Sequence, residues 1–277
     1  MVEINNISTQ KDFFENQTTL PIDNNRTYEY DGNLYDRFEE GSLYYLEQQQ
    51  DIPFWLDIAK EYGESILELA CGTGRIAIVL AQHGFQVTGI DISNSMLEAA
   101  RKKSSQVEWK KADVRDFDLD KKFSLIIFPY NSLHHLLTTE EIEACFNCVK
   151  KHLHPTGKFV IDITNPSPQY LLELFVSKQR TISSIFQIDD GGEMVVATRT
   201  REYEADKQIL RLKRYYKFPH QTEEVIEELK FRLYFPQEFK SVLRYNGFKS
   251  EKLYGDYSKN TFTSDSPQMI VLCSVSN

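Results

Sequence analysis

The chain has 277 residues, 41% of them hydrophobic and 26% charged, with a net charge of −9. That size and balance suffice to bury one large core and do not fit a disordered chain. The acidic surplus argues against nucleic acid as the main partner, because phosphate binding calls for a surface rich in Lys and Arg.

No basic stretch followed by an apolar core opens the sequence, so no secretory leader is expected. Nor does any uncharged apolar run approach the length of a bilayer-spanning helix. Cys71, Cys145, Cys148 and Cys273 are too few for a disulfide scaffold at this size. A cytoplasmic location without a membrane partner is the expectation.

In chain order, residues 1–27 are polar and aperiodic and read as a loosely held arm. Aromatic residues then crowd the sequence at Tyr28, Tyr30, Tyr35, Phe38, Tyr44 and Tyr45. They read as a helix packing its aromatic face on the domain, as a lid over a ligand, or as both. Asp51 is placed to cap a helix with Pro53 in its first turn, running through Trp55 and Ile58 to Tyr62. The apolar run from Ser65 carries Glu68 and passes Ala70 and Cys71 into Gly72-Thr73-Gly74, after which helical spacing begins at Ile76. This is a strand, a tight glycine turn and a helix, the first βα unit of a dinucleotide-type fold.

Further strands follow at 86–92, 107–112, 123–130 and 158–164. Between them lie a helix capped by Ser93 or Asn94 and ending at Lys103, and one capped by Thr138 or Thr139 and ending near Leu153, broken by His154-Pro155-Thr156-Gly157. Alternation of this kind predicts an α/β fold, a parallel sheet with helices on both faces. Beyond about residue 182 the period becomes two, with strands near 193–203, 208–218 and 224–235. Leu210, Leu212, Tyr216 and Phe218 form one apolar side, and Leu229, Phe231, Leu233 and Phe235 another. An inserted antiparallel β-meander with one side to bury is expected. A helix from Pro236 to Tyr245 and strands near 249–255 and 268–275 complete the sheet. The expected organisation is one domain, with an arm or lid at 1–50, a core at 51–182 and 236–277, and the insertion at 183–235.

Asp91 ends the second strand, where a carboxylate can accept hydrogen bonds from both hydroxyls of an adenosine ribose. It would equally be at home as a carboxylate at a helix N-terminus. Asp113 stands at the end of the third strand, where it can accept from an adenine amino group while Val114 presents a backbone amide.

In these residues the chain resembles the Rossmann-like S-adenosylmethionine-dependent methyltransferases. Glu68-Leu-Ala-Cys-Gly-Thr-Gly74 resembles their first motif, Gly89-Ile-Asp91-Ile-Ser93 the second, and Ala112-Asp113-Val114 the adenine-binding segment. Phe128-Pro129-Tyr130-Asn131-Ser132 stands where the fourth motif belongs, and His154 to Gly157 looks like the turn before the fifth strand. The likeness covers roughly residues 55–165 and departs from the pattern at Ala70, where the family's first glycine often stands.

Gly-x-Gly spacing alone would also admit a nicotinamide cofactor, and the ordered set Glu68, Gly72, Gly74, Asp91 and Asp113 tips the choice to S-adenosylmethionine. The resemblance implies that Glu68 and the turn of Ala70, Cys71, Gly72 and Gly74 hold the methionyl end. It implies that Asp91 holds the ribose, that Ile92 and Met96 flank the adenine beside Asp113 and Val114, and that Pro129, Tyr130 and Asn131 border the cofactor. Tyr35 closes over it in the same picture, with Arg37 a candidate for its carboxylate. Met96 has a plain helix-packing role as its alternative.

The reaction would be in-line displacement at an activated methyl group, needing alignment and exclusion of water. His134 and His135 follow the fourth motif, and either is suited to accept a proton from the acceptor. Capping or packing of the loop is the competing role. No metal site is expected: Cys145, Cys148 and His152 fall on one helix face, as small core residues do, and no second Cys pair completes a zinc set. Nothing beside Cys71 would activate it as a nucleophile.

The leading expectation is methyl transfer to a small-molecule acceptor through N or O, with the meander shaping the acceptor pocket or an oligomer contact such as a homodimer. An RNA methyltransferase, with Lys207, Arg211, Lys213, Arg214 and Lys217 as its basic footprint, and a non-catalytic S-adenosylmethionine binder are the alternatives.

Overall fold

Five segments form the parallel strands, four of them largely apolar and the third, Glu-Trp-Lys-Lys, polar. They are β1 (Ser65–Leu69), β2 (Gln86–Asp91), β3 (Glu108–Lys111), β4 (Phe123–Phe128) and β5 (Leu153–Thr164). The computed structural model describes residues 32–42, 49–176, 179–188 and 192–276. Tyr28, Tyr30, Tyr44 and Tyr45 lie outside the described residues. Two C-terminal strands, β10 (Phe248–Tyr254) and β11 (Gln268–Val275), add antiparallel to β5, giving the order β10-β11-β5-β4-β1-β2-β3.

Both faces of the middle of this sheet are covered, which is why β1, β2, β4 and the second half of β5 are largely apolar while the edge strands β3 and β10 are not. Leu67, Leu69, Ile126 and Phe128 point into one core with Phe146 and Val149 of α5 (Thr139–His152) and Phe239 of α7 (Pro236–Tyr245). Ile66, Leu125 and Ile127 point into the other, with Trp55 and Ile58 of α2 (Ile52–Tyr62) and Ile76 and Leu80 of α3 (Arg75–Gln82). The caps follow local chemistry. Ser93 accepts from the Met96 amide to start α4 (Asn94–Lys103), and Thr138 and Glu141 form a reciprocal capping box on α5.

Asp51 departs from expectation. It precedes α2 without a side-chain capping bond, because its carboxylate is clasped by Arg75 at 2.6 and 2.7 Å and accepts from Trp55 Nε1 at 3.2 Å.

The second sheet is wholly antiparallel and has four strands, not three: β6 (Thr181–Gln187), β7 (Met194–Glu204), β8 (Ile209–Lys217) and β9 (Val225–Arg232). β6 escapes the period-two reading because Ser183 and Ser184 occupy its buried middle. Their hydroxyls donate to the Ala197 and Phe38 carbonyls at 3.1 and 2.6 Å. α6 (Pro168–Val176), in a stretch that the sequence left unassigned, packs Leu174 on Leu210 and Leu233. At the other end Phe38 of α1 (Gly32–Glu40) packs on Phe186, Val195, Ala197, Tyr216 and Phe218.

The meander's last alternation is also corrected. β9 stops at Arg232, and both Leu233 and Tyr234 are buried, the tyrosine donating to the Leu136 carbonyl at 2.5 Å. Cys145 and Cys148 sit in the core, and His152 is tied to backbone, Nδ1 2.7 Å from the Cys148 carbonyl and Nε2 accepting from the Leu119 amide. No helix among the described residues is long and apolar enough to cross a membrane.

Candidate active site

The site lies at the C-terminal ends of the parallel strands, where an open α/β sheet places its ligands. β1 runs into a turn with Ala70, Gly72 and Gly74 all in the left-handed region, at φ 51°, 56° and 87°. Asp91, at the end of β2, fastens that turn: one carboxylate oxygen accepts from the Gly72 amide at 2.8 Å and the other from the Ser93 amide at 2.9 Å. Burial pushes its pKa up despite these bonds. Asp113 grips Arg115 through contacts of 2.6–3.1 Å. Burial alone would raise its pKa, but the guanidinium outweighs it and holds the carboxyl below its usual range.

A cavity of about 330 Å³ opens above these strand ends. Gly72, Asp91, Ile92, Met96, Asp113 and Val114 line one end of it. Tyr35, Tyr130, His135, Arg214, Leu229 and Phe231 line the other, and Ala70 and Asn131 border it as well. A second space of about 210 Å³ adjoins under α1, with Glu68, Cys71, Gly72, Arg75 and Pro129 in its wall. There Glu68 is buried with one carboxylate oxygen lacking a hydrogen-bond partner, and desolvation lifts its pKa to about 8 against the pull of Arg75.

α1 roofs the site and is held to the motifs by polar contacts. Thr73 donates to Asp36 at 2.6 Å, Lys103 pairs with Asp36 at 2.5 Å, and the Gly32 amide donates to Ser95 Oγ at 2.9 Å. Glu39 accepts from the Tyr130 hydroxyl at 3.4 Å, and the Arg75 guanidinium stacks 5.0 Å from the Tyr130 ring.

The turn after β4 puts two successive non-glycine residues, Tyr130 and Asn131, at φ 54° and 63°, a costly conformation that its surroundings must enforce. β5 supplies the restraint. Asp162 accepts from the Tyr130 amide at 3.1 Å and the Tyr257 hydroxyl at 2.8 Å, and its carbonyl accepts from the Asn131 amide. Asn131 Oδ1 in turn accepts from the amide and hydroxyl of Thr164. Burial raises the Asp162 pKa to about 7.

Three expected site residues stand elsewhere. Gly74 lines neither space; a Cβ there would come within 2.5 Å of the Trp109 ring, so this glycine serves packing and its turn. Arg37 also lines neither and lies 3.9 Å from Glu40 on the same helix. His134 is buried outside the cavity, its Nδ1 bonded to the Arg232 carbonyl and its ring stacked on Tyr234. Burial holds its pKa down near 4. Of the pair, His135 alone lines the cavity, 4.8 Å from the Phe231 ring.

Sequence reading passed over Glu39, Arg75 and Asp162 as site residues, and placed Arg214 only in a basic footprint for RNA. Two of them did leave a signal. Arg214 interrupts the apolar side Leu210, Leu212, Tyr216, Phe218, and Asp162 interrupts the run Phe159 to Ile163.

Residues 66–157 match a family described as "Methyltransferase domain". Over 137 residues the chain is 32% identical to dTDP-3-amino-3,4,6-trideoxy-alpha-D-glucopyranose N,N-dimethyltransferase of Streptomyces venezuelae. That match spans 49% of this chain and 58% of the relative, so less than two thirds of the relative's length is covered. Among solved structures, the CcbJ methyltransferase of Streptomyces caelestis superposes with a TM-score of 0.73 at 20% identity, covering 90% of this chain and 97% of that one. An S-adenosylmethionine-dependent methyltransferase from Clostridium acetobutylicum superposes with a TM-score of 0.72 at 18% identity, covering 88% and 100%. The two kinds of likeness agree: over residues 66–157 the chain is similar in sequence to a methyltransferase domain, and over most of its length it shares the fold of solved methyltransferases.

Proposed function

We propose that this protein transfers a methyl group from S-adenosylmethionine to a small-molecule acceptor through an N or O nucleophile. The observation that carries the reading is one continuous cavity. It joins a wall suited to adenosine, Asp91 to Val114, to a roofed chamber of aromatic and ionisable side chains.

The residues fit the cofactor. Gly72 is left-handed, borders both spaces, and has nothing within 4 Å of where a Cβ would stand, so its backbone is open to close approach. The buried, unpartnered oxygen of Glu68 suits a positively charged methionyl end. Asp91 would hold the ribose, with Ile92, Met96, Asp113 and Val114 about the adenine. When bound, S-adenosylmethionine supplies a methyl group on an already activated sulfonium. Tyr35 and Tyr130 then exclude water at the reacting end, Phe231 and Leu229 orient the acceptor, and His135 stands where a proton leaving the acceptor can be taken.

The amino-sugar N,N-dimethyltransferase among the relatives favours an amine. Against RNA as acceptor, four of the five basic residues of that footprint are paired with carboxylates of the sheet. Lys207 and Arg211 pair with Glu204, Lys213 with Glu228 and Arg214 with Glu227.

The test is incubation of the purified protein with methyl-labelled S-adenosylmethionine and a small-molecule extract. Labelled product is expected, and it should vanish with the Asp91→Ala variant. Binding of the cofactor without any labelled product would favour a non-catalytic binder, and absence of binding would overturn the proposal.

A further inference from the structure

We infer that Arg115 is a positioning residue that makes the site selective for a purine bearing an amino group, by fixing the carboxylate of Asp113 in one orientation; this rests on the adenine wall proposed above. A tight turn creates the arrangement. The Asp116 amide donates to the Asp113 carbonyl at 3.0 Å, and the Arg115 amide donates to Asp113 Oδ1 at 2.9 Å. Aspartate side chains bond the backbone two residues on in turns of this kind. The turn brings the Arg115 side chain back across the carboxylate before it, with Nε 2.9 Å from Oδ1 and Nη2 2.6 Å from Oδ2.

The guanidinium is itself held from behind. Its Nη1 donates to Glu141 Oε1 at 2.8 Å, while Glu141 Oε2 accepts from the Leu137 and Thr138 amides at 2.7 and 3.1 Å. The Cys148 thiol, also on α5, donates to the Arg115 carbonyl at 3.5 Å. Arg115 is thus fastened to α5 through both backbone and side chain, and it does not follow Asp113 if that carboxylate turns. A planar fork of donors meets a carboxylate in one geometry, which a single ammonium group would not impose.

Counting donors shows what Asp113 has left for a ligand. An ionised carboxylate offers about four positions to donors. Three N–H groups of Arg115 take three of them, and among the described residues nothing else donates to this carboxylate. The remaining position is on Oδ2, and Asp113 and Arg115 both line the cavity. Burial would favour the neutral acid, but the guanidinium outweighs it and keeps the carboxyl ionised, so that position accepts and does not donate. Adenine presents an amino donor beside an acceptor nitrogen. Hypoxanthine, with a carbonyl in place of the amino group, presents an acceptor beside an N–H. Against a carboxylate that neither turns nor takes up a proton, adenine finds a partner and hypoxanthine sets lone pair against lone pair. A plain ion pair as exposed as this one stabilises a fold little and has no bearing on which base binds.

Titration calorimetry on the full chain tests this with S-adenosylhomocysteine and S-inosylhomocysteine, which differ only along that edge of the purine. The unaltered protein should bind the first at least about tenfold more tightly, as expected for one hydrogen bond to a charged group. That ratio should shrink about fivefold in R115Q and about threefold in R115K, which keeps the charge without the fork. General loosening of the site would weaken both ligands alike and leave the ratio unmoved. An unchanged ratio in either variant, or no discrimination by the unaltered protein, would therefore overturn the inference; should R115Q fail to fold, R115K decides. D113N separates this from the reading beneath it, since the ratio there should fall to about one. An unchanged ratio in D113N would strike Asp113 as the partner of adenine, and absence of S-adenosylhomocysteine binding would strike the cofactor reading, either taking this inference with it. Loss of the ratio in D113N but not in the Arg115 variants would overturn this inference alone.

Discussion

The two ends of the cavity are built on different principles. At the end proposed for the cofactor the wall is made where strands stop. Gly72, Asp91, Asp113 and Tyr130 each follow a different parallel strand, and backbone amides fix them, as Gly72 and Ser93 do for Asp91. At the end proposed for the acceptor the wall is made by side chains standing on the middle of strands, Arg214, Leu229 and Phe231, with Tyr35 and Glu39 reaching in from α1. The first construction uses groups that cannot be changed without changing the fold. The second uses side chains on strand middles, whose placement depends on the register of the sheet and not on a turn.

The largest expected effect sharpens that contrast. Asp91→Ala removes the acceptor of two backbone amides as well as the proposed ribose contact, and S-adenosylmethionine affinity should fall about 100-fold by calorimetry. Phe231→Ala should act at the other end alone. Methyl transfer, measured as kcat/KM for the acceptor, should drop about tenfold while S-adenosylmethionine affinity stays unchanged. A change in cofactor affinity there would erase the distinction between the two ends.

A third, smaller effect is set by pH. Glu68 and Asp162 have folded-state pKa values raised to about 8 and about 7, from 4.5 and 3.8. Their protonated forms favour the folded state, so this contribution is complete below about pH 4 and is lost as pH rises toward 8. The melting temperature of the ligand-free protein should fall by roughly a few degrees between pH 5 and 8.5, and Glu68→Gln should flatten the slope. The smallest effect concerns Ala70, held at φ 51°. Ala70→Gly relieves about 1 kcal/mol of left-handed strain and gives most of it back as chain entropy. Chemical denaturation should therefore detect a change within about 0.5 kcal/mol.

The sequence disclosed the cofactor end far more fully than the acceptor end, for a physical reason. Gly72, Asp91, Ile92, Met96, Asp113 and Val114 stand within short motifs whose geometry is set by the turns they occupy. The doubly buried strands β1, β2, β4 and β5 announced themselves by composition. Contacts such as Asp162 with Tyr257, 95 residues apart, or Tyr130 with Glu39, 91 apart, have no local signature. His134 and His135 are adjacent and alike in the sequence, and only the packing of Tyr234 and Phe231 separates the buried one from the one that meets the cavity. β6 hid for another reason: serines in its buried middle bond to carbonyls of α1 and β7, where a strand reading expects apolar residues. The misplaced Arg37 shows the same limit, since a helix face is set by what the helix lies on.

The chain leaves the parallel sheet after β5 and comes back to it through α7 at Pro236, with the whole four-stranded sheet between. In engineering terms this is a cartridge held by two splice points, with the residues proposed to hold the methyl donor outside the excised length. On the proposed function, exchanging residues between those points for the equivalent piece of another protein would trade one acceptor for another, provided that the Phe38 and Tyr35 surface of α1 is exchanged with it.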